Sequence, residues 1–363
     1  AINNDNCLEL PNMEENSVGL IVTSIPFSNQ YEYTSAYNDY GFNEDNAKFF
    51  EQMDFLTPHL LRVLQPGRML CCHVKDRVLS GYKGGTCFQT VVPFSDLSVL
   101  HYIKHGFKYC GRITIDTDVV QENNKSYRLG YTEMCKDGTK MSVGCPEYIL
   151  LFRKEPSDKS DAYADVPVVK SKDEYSLARW QIDAHGDWKS SGERLLTYED
   201  VRGLSLEGIR EYYRNFAKDH IYNFEDHVAF SETLGAAGRL SKEAFVLAPV
   251  SHSPYIWDLG DYQRAKTLNS RQARADRQVH ICPLPLDLVT RCIERWSNKG
   301  DVVFDPFGGI QTVPYCAIKM GRKGLSTELN YDYWRDGLTY LREAEQEMTS
   351  PTLFDFMDFN NGD

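Results

Sequence analysis

The sequence predicts an α/β protein built on a doubly wound, mostly parallel sheet, and three observations carry that expectation. The N-terminal part and the last quarter of the chain alternate short apolar strand patterns with helix-spaced apolar residues. A glycine-bearing strand-to-helix turn, Asp305-Pro306-Phe307-Gly308-Gly309-Ile310-Gln311-Thr312, follows the buried-strand pattern Val302-Val303-Phe304. A further strand, Lys323 to Thr327, delivers Glu328 about 20 positions after Asp305, the spacing at which nucleoside-binding α/β folds hold ribose hydroxyls.

Taken in order, Val18 to Val22 reads as a short buried strand that carries Thr23-Ser24-Ile25-Pro26-Phe27 at its carboxyl end. Phe49, Met53, Leu56, Leu60 and Leu64 recur at helical spacing, with Pro58 expected to kink or restart the helix and Gly67 to end it. Met69 to Val74 is an apolar strand in which Cys71 and Cys72 read as small buried hydrophobes. A helix near Asp96 to His105 and strands near Lys108 to Ile115 and Tyr148 to Phe152 follow, the last two expected to close the sheet as antiparallel strands. Glu155 to Glu174, rich in Pro, Ser, Asp and Lys, reads as a linker. From Tyr175 to Val250 the strand-helix alternation stops. Thr197 with Asp200 marks a helix start, and Val201, Leu204, Ile209, Tyr212, Tyr213 and Phe216 point to helical structure interrupted by Gly203 and Gly208. A helix from Val313 to Met320 and another from Asp332 to Glu347 complete the pattern.

Chemistry concentrates at two turns. Asp305 can accept hydrogen bonds from a bound amine, and Gly309 lets the main chain approach a ligand closely. At the other turn, a hydroxyl, a carbonyl fixed by the following proline and the Phe27 ring can together hold a planar base that carries an exocyclic amine.

These segments resemble those of the β-class DNA amino-methyltransferases, in which the target motif precedes the S-adenosylmethionine motif. Asp305-Pro306-Phe307-Gly308-Gly309 resembles the family's cofactor loop, Glu328 its ribose ligand, and Thr23 to Phe27 its catalytic signature. Asn4-Asp5-Asn6-Cys7-Leu8 resembles the adenine-side segment. Leu61 to Arg68 resembles the helix-to-strand corner, and His280-Ile281-Cys282-Pro283-Leu284-Pro285 the segment that closes over the methionine end. Ile25 stands where the signature usually has its first proline, and Gln311 where the loop usually has its second glycine. The resemblance covers roughly residues 1–154 and 250–345. It implies a Rossmann-like, class I S-adenosylmethionine-dependent methyltransferase sheet with circularly permuted motif order and a mostly helical insertion. It divides the chain into a catalytic half at 1–154, a linker and target-recognition insertion at 155–250, a cofactor-binding half at 251–347 and a tail at 348–363. By the same resemblance Thr23, Ser24, Pro26 and Phe27 are catalytic. Asp5, His280, Pro283, Asp305, Phe307, Gly308, Gly309, Thr312 and Glu328 bind the cofactor.

The expected reaction is methyl transfer from S-adenosylmethionine to an exocyclic amine of a base flipped out of double-stranded DNA. A Ser or Thr opening the signature leans toward cytosine N4 over adenine N6. A ring-carbon cytosine methylase is disfavoured, because Cys145-Pro146 and Cys282-Pro283 run in the reverse of the Pro-Cys order that chemistry needs. Two other readings stay open: a non-catalytic, cofactor-binding DNA-binding or regulatory module, and a protein or RNA amino methyltransferase.

The net charge of −12 sits awkwardly with phosphate binding. Arg264, Lys266, Arg271, Arg274 and Arg277, opposed only by Asp276, form the clearest basic stretch, read either as a solvated loop or as a DNA-tracking one. Glu122 to Arg128 reads as a base- or phosphate-contacting loop or a mobile connection. Arg179 to Ser191 reads as target-reading or as a packed core edge. The ten cysteines form no Cys-x-x-Cys pair or zinc-spaced cluster with histidine, so free thiols and no metal are expected. With no transmembrane-length run and no signal segment, a soluble cytoplasmic protein trimmed by a few residues is expected. A cognate restriction enzyme and a homodimer are compatible partners. The tail Thr352-Leu353-Phe354-Asp355-Phe356 faintly resembles a clamp-docking peptide, although it could equally fold onto its own domain.

Overall fold

The computed structural model describes residues 1–28, 31–116, 131–140, 147–172, 175, 198–219, 232–239, 256–258, 267–269, 280 and 283–349. The chain divides into two compact units, residues 1–112, 125–169 and 263–363 in the first and residues 113–124 and 170–262 in the second. The described strands are β1 (Ile2–Asn3), β2 (Leu20–Ser24), β3 (Met69–Lys75), β4 (Arg77–Leu79), β5 (Thr90–Val92), β6 (Lys108–Asp116), β7 (Glu147–Arg153), β8 (Ile256–Asp258), β9 (Val302–Asp305) and β10 (Lys323–Glu328).

The first unit is built on the strand order β1-β10-β9-β2-β3-β7-β6. From β1 to β3 every neighbouring pair is parallel, and β7 joins β3 antiparallel. This is the expected α/β methyltransferase-type sheet, including an antiparallel strand near its far edge. After β9 the chain crosses over through the helix Thr312–Lys319 to β10 on one side, whereas after β2 it crosses through the helix Asn46–Val63 to β3 on the other. The β2/β9 boundary is therefore a topological switch point, where a crevice opens beyond the strand carboxyl ends.

The Asn46–Val63 helix buries Phe49, Met53, Leu56, Thr57, Leu60 and Val63 on the sheet. Contrary to expectation, Pro58 does not restart this helix. Its missing N–H forgoes one bond in the ladder, but the apolar residues on either side are anchored in one core and keep the helix continuous. Cys71 and Cys72 are fully buried thiols, as expected. Residues 155–172 contain no helix or strand, yet part of the segment is tied down: Arg68 Nη1 donates to the Val166 carbonyl (3.0 Å) and Asn298 Nδ2 to that of Pro167 (2.9 Å).

In the second unit the helix Leu206–Asp219 runs through Gly208, whereas Gly203 breaks the chain as expected, at φ +79°. β8 pairs in parallel with the end of β6. Thr197, the 122–128 loop, the 179–191 segment and the 352–356 tail lie outside the described residues. Among those described, no helix is long and apolar enough to cross a membrane.

Candidate active site

The parallel register Leu20↔Val303 and Ile21↔Phe304 brings the ends of β2 and β9 to one sheet edge. There Thr23 Oγ1 donates to Asp305 Oδ1 at 2.7 Å, joining the two sequence motifs directly. β1 pairs beside β10 with Asn3 opposite Glu328, which carries Asp5 and Asn6 to the same rim. The cavity so formed encloses about 920 Å3 counted to its open mouth, within the range of small-molecule sites.

Of the residues singled out in the sequence, Asp5, Ser24, Pro26, Phe27, His280, Asp305, Phe307, Gly308, Gly309, Thr312 and Glu328 line this cavity. Thr23 and Pro283 are not on its wall. Thr23 is fully buried and its hydroxyl is committed to Asp305. Successive strand residues point to opposite faces, so Thr23 and Ser24 do not present their hydroxyls to one ligand. Near Pro283 the wall is made by His280 and Leu284 instead. Arg264, Lys266, Arg271, Arg274 and Arg277 lie outside the described residues.

Asp305 is 2 % exposed, and burial pushes its carboxyl up to about 7 against the opposing bonds from the Phe307 N–H (3.0 Å) and the Thr23 hydroxyl. Burial also raises Glu328 to about 7, although its two oxygens accept the N–H groups of Asn330 and Gly309, each at 2.7 Å; the nearby Asp305 and Asp39 add to the rise. Both acids thus hold protons in the folded chain that they release in the unfolded one. Between pH 4 and pH 7 the native state binds more protons, so stability should fall as pH rises across that window, by roughly a few kcal/mol. Urea midpoints measured against pH should show this descent in the ligand-free protein and a flatter profile in Asp305→Asn.

The catalytic turn is held from behind. Arg77 Nη1 donates to the Phe27 carbonyl at 2.7 Å, and its guanidinium lies 5.1 Å from the centre of the Phe94 ring. Phe27 packs edge-on against Phe94 and His73 at 6.1 and 6.4 Å. Ile25 buries its side chain in the sheet core, so the missing proline costs no pocket volume.

Two functional candidates were not evident from the sequence. Ser24 Oγ lies 3.0 Å from His73 Nδ1, and His73 Nε2 lies 3.0 Å from Glu147 Oε2. Lys75 Nζ donates to the other Glu147 oxygen, also at 3.0 Å. Burial would raise the Glu147 pKa, but the bonds and charges of His73 and Lys75 outweigh it and hold the carboxylate down at about 2. Glu147 is therefore an acceptor only, and Nε2 of His73 carries the hydrogen it receives. In the neutral ring Nδ1 is then the atom that accepts the Ser24 hydroxyl, an arrangement like that of a serine-histidine-acid triad.

The opposite wall suits a nucleoside joined to a charged chain. His280 stacks edge-on at 4.7 Å from Tyr333, and burial lowers its pKa to about 4, keeping it neutral. A Cβ at Gly309 would stand 2.5 Å from His280 Nε2, so only glycine permits this approach. The buried Asn6 Oδ1 has no hydrogen-bond partner among the described residues, while its Nδ2 donates to the Pro306 carbonyl at 3.0 Å.

Residues 18–338 match the family model described as DNA methylase. The orphan methyltransferase M.BamHII of Bacillus amyloliquefaciens is 22% identical over 324 residues, 89% of this chain and 88% of that protein. The DNA adenine methyltransferase YhdJ of Escherichia coli K12 is 28% identical over 128 residues, 35% of this chain and 42% of that protein. Among solved structures, a DNA modification methylase of Thermus thermophilus, TTHA0409, complexed with S-adenosyl-L-methionine, aligns over 96% of this chain and 93% of its own at 20% identity and a TM-score of 0.49. The cytosine-N4-specific PvuII DNA methyltransferase aligns over 95% and 90% at 11% identity and a TM-score of 0.48.

Proposed function

The chain belongs to the DNA methylase family of N6/N4 methyltransferases, and from that premise we propose that it methylates an exocyclic amine of a base in double-stranded DNA, with cytosine N4 favoured over adenine N6. The observation that carries this reading is the single cavity walled on one side by Ser24, Pro26 and Phe27 and on the other by Asp305, Gly309 and Glu328. The cofactor is S-adenosylmethionine, which when bound supplies an electrophilic methyl group on a sulfonium. Its fit rests on the two buried acids, the glycine cradle and the orphaned Asn6 acceptor. Glu328 and Asp305 take its hydroxyl and amino donors, and Asp5 and Asn6 its base.

On the target side, Phe27 stacks on the base, and Ser24 Oγ with the carbonyl before Pro26 accepts the amine's hydrogens, turning the nitrogen lone pair out of conjugation. The amine must lose one proton as it gains the methyl group. Ser24 Oγ receives that proton while passing its own to His73 Nδ1, and Glu147 balances the imidazolium. Reaching an amine inside a duplex requires base flipping. The 170–262 unit, with the basic stretch after it, reads the target. A hydroxyl paired with a neutral imidazole, rather than a carboxylate, favours cytosine. A cytoplasmic enzyme paired with a restriction nuclease is the expected setting.

Incubation with methyl-labelled cofactor and mixed-sequence duplex DNA, followed by mass spectrometry of nucleosides, tests the reading. N4-methylcytosine is the expected product; N6-methyladenine would correct the base, and no label above a heat-killed control would remove the function. In the same assay Phe27→Ala should lose transfer while keeping cofactor affinity. Asp305→Ala should weaken cofactor binding by at least about tenfold. Equal affinities in the two variants would refute these roles.

A further inference from the structure

Away from the cavity, the Asn46–Val63 helix and the helix Phe94–Lys104 meet at a second cluster of polar side chains. His105 Nε2 lies 2.6 Å from Asp54 Oδ1, and His101 Nδ1 lies 3.5 Å from the same oxygen. One ligand atom from each of the three residues falls within 4.8 Å of the other two. None of them lines the active-site cavity.

Hydrogen-bond direction fixes what His101 can do. Thr57 Oγ1 donates its single hydrogen to the Met53 carbonyl at 2.9 Å, so in its 2.7 Å contact with His101 Nε2 the ring must be the donor. In a neutral ring Nδ1 then carries a lone pair, and that lone pair faces the Asp54 carboxylate. His101 is only 6 % exposed, and burial, reinforced by the His105 charge, lowers its pKa to about 4, so the ring stays neutral at physiological pH. Two acceptors face each other in a nearly closed site. Such a pair calls for a cation between them.

We propose that Asp54, His101 and His105 bind one divalent transition-metal ion of the zinc class, which clamps the two helices together. Ligands about 2.0–2.1 Å from a tetrahedral zinc ion stand roughly 3.4 Å from one another. The His101–Asp54 separation already meets this spacing, and the His105–Asp54 contact needs to open by less than about an ångström. Thr57 is the outer-shell partner that holds the ligating imidazole in the correct tautomer. Lys104, which contacts both Asp54 oxygens at 3.0 and 2.7 Å, is the competing cation. Its side chain is 62% exposed and can withdraw into solvent. Sequence spacing hides the site, because Asp54 comes from a different helix.

Titrating chelator-treated full-length protein with zinc, and separately with cobalt, tests the site. One ion per chain is expected, with a tetrahedral cobalt spectrum that lacks thiolate-to-metal absorption, and zinc should raise the melting temperature. Asp54→Asn and His105→Ala, both partly exposed positions, should each weaken zinc at least about tenfold, and Thr57→Val by about the same factor while leaving all three ligands in place. Lys104→Ala should tighten binding. Zinc affinity unchanged in Asp54→Asn and His105→Ala, or weakened by Lys104→Ala, would overturn the proposal, as would no binding by the unmodified protein.

Discussion

Replacing His73 with alanine should slow methyl transfer by about 10²- to 10⁴-fold while leaving S-adenosylmethionine affinity unchanged, the range expected when a positioned acid-base group is lost. The strand registers explain why this one side chain matters. Ser24 on β2 stands directly beside His73 on β3, and on the antiparallel strand β7, Glu147 sits two residues from the position opposite His73. Diagonal neighbours on one sheet face are within reach of long side chains. A proton leaving the target amine can therefore cross from Ser24 to His73 without entering the cavity again. Glu147→Gln should cost less than His73→Ala, because the amide can still accept from Nε2 but no longer offsets an imidazolium. The readout that separates relay from scaffold is the pH profile of kcat. In a relay, the acid limb is lost with His73 and persists, displaced, in Glu147→Gln. If His73→Ala lowers kcat but keeps an acid limb of unchanged midpoint, His73 is a packing residue and the relay is wrong.

The same registers mark the boundary of what could be read from the chain alone. Strand β9, its turn and the acid ending β10 were legible because their signals are local: a β-branched run, two glycines, then a carboxylate at a fixed interval. The target turn was legible for the same reason. His73 and Glu147 were not, since each lies in or beside an apolar strand pattern and they meet only through non-local pairing. One signal was available, a histidine within an otherwise apolar run and followed by Lys75, but it does not say which strand lies alongside. Thr23 was misread because chemical type was weighed without strand alternation, which turns its hydroxyl toward Asp305. Pro58 was misread because a propensity penalty of about 3 kcal/mol was set against no knowledge of the core that the helix covers.

Gly337→Ala should weaken cofactor binding by about 10- to 100-fold, and Gln311→Gly should restore it in the double variant. Gln311 occupies the left-handed region at φ 70°, where its family usually carries glycine, and it starts the Thr312–Lys319 helix. A side chain there costs roughly 1–2 kcal/mol. The fold offsets that cost by turning the amide away from the cavity: Nε2 donates to the Gly309 carbonyl at 3.2 Å, and Oε1 accepts from Ser326. Room for this turn comes from Gly337 in the helix Tyr331–Thr349, where an added Cβ would stand 2.1 Å from Gln311 Cγ and 3.0 Å from the Ile310 carbonyl carbon. Alanine within a helix normally gains about 0.8–1 kcal/mol over glycine, so a harmless contact would make Gly337→Ala stabilising. Overpacking of a closed site costs about 1–3 kcal/mol instead, and here it is delivered to the loop that carries Gly308 and Gly309 on the cofactor wall. Calorimetric affinities for S-adenosylmethionine in the unmodified protein, the two single variants and the double variant form a closed cycle. Gln311→Gly alone should be nearly neutral, trading backbone strain against two hydrogen bonds. A double variant that binds no better than Gly337→Ala would mean that the two positions are not coupled, and that the departure from glycine at Gln311 is tolerated for some other reason.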